Sequence, residues 1–69
     1  MNNVCTYHIQ IERQVAEDEI NAISTLQMTL ERIDTATTLF SVHTDQSGLI
    51  GLLRHLHARG LVLLSVQRE

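Results

Sequence analysis

The chain has 69 residues, which leaves room for one domain, and a domain of that size hides only about 60% of its unfolded surface when it folds. Cys5 is the single cysteine, so neither an intramolecular disulfide nor a four-thiolate zinc site can add stability, and a partner subunit is the expected supplement. The formal net charge of −3 and the scattered arginines oppose binding to a phosphate backbone, while 43% hydrophobic against 19% charged residues describes a globular chain rather than a disordered one.

A single domain over residues 1–69 is expected, with residues 1–4 disordered. The N-terminus MNNVCTYHIQ has neither the basic start nor the apolar core of a signal peptide. The longest apolar run, Leu61 to Leu64, falls far short of the ~20 residues of a membrane span. These features point to a cytoplasmic protein.

From Cys5 to Glu12, Cys5, Tyr7, Ile9 and Ile11 alternate with polar residues, the pattern of a half-buried strand. Ala16 to Ile23 opens with three acids, as the positive end of a helix dipole favours, and carries Ile20 and Ile23 on one face, which predicts a short helix. Leu26, Met28 and Leu30 alternate with Gln27, Thr29 and Glu31, and the β-branched and aromatic run Thr37 to Thr44 follows a polar turn near Asp34, so the two should pair as a hairpin.

Thr44 or Asp45 can cap a second helix, in which Leu49, Leu52, Leu53 and Leu56 follow the i, i+3, i+4, i+7 spacing. Gly60 can end it in the left-handed conformation, with Leu61 folding back over the last turn. Leu61 to Gln67 then reads as a strand with Val62, Leu64 and Val66 on one face. The order β-α-β-β-α-β gives an α+β fold: a ferredoxin-like sandwich, an antiparallel four-stranded sheet of order 4-1-3-2 with both helices on one face.

The tail from Asp45 to Val66, with Asp45-Gln46, Gly51-Leu52-Leu53, Gly60-Leu61 and Leu63-Leu64-Ser65-Val66, resembles that of a group of small bacterial proteins, mostly of unknown function. The resemblance implies one compact domain and carries no activity with it.

No chemistry-bearing constellation stands out. His55 and His57 are two apart on a helix and point about 200° apart, so they cannot share one metal ion. His8 and His43 have the parity of the sheet face away from the helices and are expected to meet across neighbouring strands, with Gln67 and Ser41 nearby. Two imidazoles fall short of a tight metal site, and Cys5 has the opposite parity. Cys5 is expected to be a buried free thiol. No Walker loop, dinucleotide fingerprint or CxxC is present, so no cofactor is expected. Tyr7 and Phe40, the aromatic residues, have core parity and are not free to stack nucleic-acid bases.

The sheet face away from the helices is expected to carry Leu39 and Leu63 as apolar anchors, ringed by His8, Gln10, Ser41, His43 and Ser65. Burying each leucine fully contributes ~1.5–3 kcal/mol, so the expectation is a non-enzymatic interaction module that forms a homodimer through this open face. Gly51, in the outer stripe of the second helix with Ser47, Arg54 and Ala58, is a further place for close approach by another chain. The rival reading is a ligand- or metal-sensing domain resembling regulatory ACT modules, although the segment after the first strand, Arg13-Gln14-Val15-Ala16, has no glycine to admit a ligand to the backbone.

Overall fold

The computed structural model describes residues 3–69. Its elements are strand β1 (Cys5–Glu12), helix α1 (Glu17–Asn21), β2 (Met28–Ile33), β3 (Thr37–Thr44), helix α2 (Gln46–Ala58) and β4 (Val62–Arg68). They form one four-stranded sheet of order β2-β3-β1-β4, antiparallel at every junction; counted from the β4 edge the series reads 4-1-3-2. Of the stretch expected to be disordered, residues 1 and 2 lie outside the described residues, and Asn3 and Val4 are exposed and outside any strand.

One apolar cluster holds the fold together. Tyr7, Ile9 and Ile11 of β1, Met28 of β2, and Phe40 and Val42 of β3 face Ile20 of α1 and Leu49, Leu52 and Leu56 of α2. Both helices therefore cover the same side of the sheet. Each fully buried side chain of this kind contributes ~1.5–3 kcal/mol, and β1 and β3, at the centre, supply most of the sheet's share.

Helix α2 starts and stops as its sequence dictates. Asp45 is the cap: its Oδ1 accepts from the Gly48 N–H at 2.8 Å. At the other end Gly60 takes φ +76°; its N–H donates to the His57 carbonyl and that of Leu61 to the Leu56 carbonyl. This is the paired-bond glycine stop, and Leu61 and Leu56 are both buried beneath it.

Helix α1 is shorter than the expected Ala16–Ile23. Ala16 offers no side-chain cap, and the last turn tightens, with Ala22 N–H shared between the Asp18 and Glu19 carbonyls and Ile23 N–H donating to Ile20. Strand β2 is displaced with it. Leu26, expected inside the strand, precedes it; its N–H is bonded to Ser24 Oγ and its side chain packs against the core from a loop.

The exit of β1 is tied to β3. Thr38 Oγ1, fully buried, accepts from Val15 N–H at 2.9 Å and donates to the Arg13 carbonyl at 2.7 Å. Arg13 itself sits at φ +99°, a conformation ordinarily left to glycine.

Candidate docking surface

Antiparallel partners place their side chains on the same side of a sheet, so the pairing register sorts the expected interface residues. His8 lies opposite Ser41 on β3 and Gln67 on β4, and Gln10 lies opposite Leu39 and Ser65. Together with His43 they form one continuous patch on the open face. His8 and His43 do not face each other, however: His43 is opposite Thr6, whose Oγ1 is 3.1 Å from His43 Nδ1. The pairing is two residues off the expected one because β1 and β3 run together from end to end, Cys5 with Thr44 and Glu12 with Thr37.

Leu63 is not on that face. Between Gln10 and Ile11 the β1–β4 register shifts, so that Ser65 pairs with Gln10 but Leu63 pairs with Ile11. Leu64 is the extra residue of a β-bulge, and one extra residue reverses the parity of everything before it. Leu63 thus shares the helix side with buried Ile11, while Val62, opposite Glu12, takes the open face. Of the residues expected to form the inner face of β4, Val62 and Leu64 are instead 51% and 47% exposed, and Val66 alone packs on the core.

Val62 thus takes the place of Leu63 as the apolar side chain of β4 on the open face, and the polar groups of that face have partners. Ser41 Oγ donates to Glu31 Oε2 at 2.8 Å, Gln10 Nε2 reaches Thr37 Oγ1 at 3.5 Å, and His8 Nε2 stands 3.8 Å from Glu69 Oε1. Leu39 is half-buried between Gln10 and Arg32.

The apolar surface lies at the β4 edge. Val62, Leu63 and Leu64 are consecutive and each about half exposed, at 51%, 44% and 47%. Behind them an open groove of about 420 Å³ is lined by Leu53, Leu56 and His57 of α2, the Gly60-Leu61 stop, and Val62-Leu63. Apart from Val62 its residues belong to the helix side, where Leu63 was not expected. The sequence signal was available: three apolar residues in a row cannot all be buried by alternation in a strand covered on one face.

The two edges of the sheet are unlike. At β2 the backbone is occupied by α1: Asn21 Oδ1 accepts from Met28 N–H at 2.7 Å and Asn21 Nδ2 donates to the Met28 carbonyl at 3.0 Å. Glu17 Oε2 accepts from Leu30 N–H at 2.9 Å. Asn21 thus stands in for a residue of a neighbouring strand. Among the described residues β4 has no such cover.

Charge is divided along the chain as well. From Gln46 to Arg68 the sequence contains no acid. Among the described residues Arg13 and Arg32 are paired with Glu19 and Asp34, whereas Arg54, Arg59 and Arg68 have no carboxylate partner. No group of three or more His, Cys, Asp or Glu side chains gathers as a metal set among the described residues. No helix of the described residues is long and apolar enough to cross a membrane.

The model of a family described as a domain of unknown function, DUF8691, matches residues 6–67. The chain belongs to that family. The match runs from the second residue of β1 nearly to the end of β4, so a DUF8691 domain comprises the whole sheet, both helices and the β4 edge. Neither the curated proteins nor the solved structures contain a match to the chain.

Proposed function

We propose that this DUF8691 domain is a non-enzymatic interaction module that associates with a second copy of itself, and that the contact runs along the β4 edge rather than across the open face of the sheet. The observation that carries the reading is the run of half-exposed Val62, Leu63 and Leu64 on an uncovered edge strand. Edge strands with apolar side chains and free backbone groups are templates for another chain. A ferredoxin-like arrangement and a cytoplasmic setting fit the strand order and the sequence, and both belong to this proposal.

The strength of the contact follows from area. Burying the exposed half of a leucine or valine contributes ~1 kcal/mol, so the three side chains on each of two copies supply about 6 kcal/mol against an association cost of ~4–15 kcal/mol. Backbone bonds across the seam add to this. The association is therefore weak and concentration-dependent.

Light scattering from about 10 μM to about 1 mM, the range that corresponds to roughly −7 to −4 kcal/mol, tests the reading. The mass should rise from one chain to two, Leu64→Lys should hold it at one, and Leu39→Lys on the open face should leave the rise intact. A one-chain mass throughout would overturn self-association. Loss of the rise in Leu39→Lys but not in Leu64→Lys would return the contact to the open face.

A further inference from the structure

We infer that two copies join β4 to β4 about a two-fold axis at Val66, making one continuous eight-stranded antiparallel sheet. This rests on the β4 edge being the contact surface, and it adds the symmetry, the register and the reason the assembly stops at two.

Closure follows from the unlike edges. A head-to-tail chain would require β4 of one copy to pair with β2 of the next, but the outward Met28 N–H and carbonyl are held by Asn21 and the Leu30 N–H by Glu17. With the first half of the β2 edge occupied, the uncovered β4 edge is left to pair with its own copy. Self-pairing of a single patch is two-fold and closed.

The register follows from backbone direction. Glu69 N–H donates to the Thr6 carbonyl at 2.9 Å, so residues 69, 67 and 65 turn their backbone groups toward β1, and by alternation those of Val66 and Arg68 turn outward. Outward groups must meet outward groups. Pairing Val66 with its own copy satisfies this, sets Ser65 opposite Gln67 and Arg68 opposite Leu64, and keeps each side of both sheets continuous. A centre between two residues would set outward groups against inward-bonded ones; of the centres on a residue, Val66 is the middle of the regular stretch Leu64 to Arg68, whereas a centre at Ser65 draws the bulge into the seam and one at Gln67 carries the pairing past the end of β4. Beyond Leu64 the bulge ends regular pairing, so the ladder is short: Leu64 lies within it, and Leu63 and Val62 flank it at its end, where they are covered by packing rather than by strand pairing.

Charge is consistent with this register. Arg68 and its copy stand four residue steps apart, about 13 Å, beyond the ~8 Å screening length at physiological salt.

Cysteine cross-linking in a Cys5→Ser background tests the pairing. Paired residues whose backbone groups bond across the seam have Cα atoms ~5.5 Å apart, within the 4.4–6.8 Å a disulfide spans. Val66→Cys should form a covalent dimer with itself on mild oxidation at a concentration where the mass is two chains. Ser65→Cys and Gln67→Cys, on the open face away from the core, should each stay largely uncross-linked alone and form a mixed dimer when combined, which keeps the test open if Val66→Cys folds poorly. A two-chain mass with no cross-link at 66 and none between 65 and 67 would overturn the two-fold pairing while leaving self-association in place. A one-chain mass would overturn both.

Discussion

Asn21 is the side chain on which the difference between the two edges rests, and its removal has a calculable effect. It makes three bonds, to the Met28 N–H and carbonyl and to the Glu17 carbonyl. The Glu17 bond is exposed and water replaces it. The two at Met28 are part-buried and contribute ~1 kcal/mol each. Alanine returns ~0.6 kcal/mol through its helix preference. Asn21→Ala should therefore cost about 1.5–2 kcal/mol, out of a total that per-residue averages place at roughly 3–10 kcal/mol. With a urea slope of ~1 kcal/mol/M for a small domain, the midpoint falls by about 1.5–2 M. Asn21→Asp keeps the acceptor for Met28 N–H but sets a carboxylate oxygen against two carbonyls, so it should be no more stable than alanine. Freed at Met28, the β2 edge should also let the mass of Asn21→Ala climb past two chains at high concentration. An unchanged urea midpoint for Asn21→Ala, or wild-type stability for Asn21→Asp, would refute the argument that this side chain substitutes for a strand.

Thr38→Val should cost about 2–3 kcal/mol in the same assay, because it strands the buried Val15 N–H, whereas Thr38→Ser, which loses a methyl but keeps both bonds, should cost ~1 kcal/mol; the reverse order would show that packing outweighs the hydroxyl. The two α2 glycines should respond in opposite senses. A Cβ at Gly48 collides with Thr44 Oγ1, and Thr44 is buried, so Gly48→Ala should destabilise by ~1–3 kcal/mol. Gly51 has open space around it, so Gly51→Ala should stabilise by ~1 kcal/mol. Arg13→Gly removes a strained positive φ and an ion pair more than half exposed on both sides, which is worth little; thermal melting should show it unchanged or more stable by up to about 1 kcal/mol.

The elements whose local pattern and tertiary role agree were legible. β1 and β3 occupy the expected Cys5–Glu12 and Thr37–Thr44 because both are central strands covered on one side, where alternation and burial coincide. The Asp45 cap and the Gly60 stop are local chemistry, and they stand where the residues place them. What alternation could not reveal was a change of phase. The bulge at Leu64 moved Leu63 to the helix side and took with it half of the apolar anchor expected on the open face. Leu26 had strand parity, yet the stand-in bonds of Asn21 fix the ladder from Met28 onward. A side chain imitating a strand leaves no periodic mark. Arg13 at positive φ is also silent in sequence, since the backbone bonds that hold it are made with the Thr38 hydroxyl and the Ala36 carbonyl, more than twenty residues on.

The bulge at Leu64 bears finally on how the chain tolerates insertion and deletion. Removing that one residue would leave Ser65 opposite Gln10 and Leu63 opposite Ile11, so the internal ladder would survive while the strand straightened. A straight, leucine-rich border is the geometry from which fibrils nucleate. The irregularity therefore works as a safeguard, and a shortened β4 is the change most apt to turn a closed pair into an insoluble deposit.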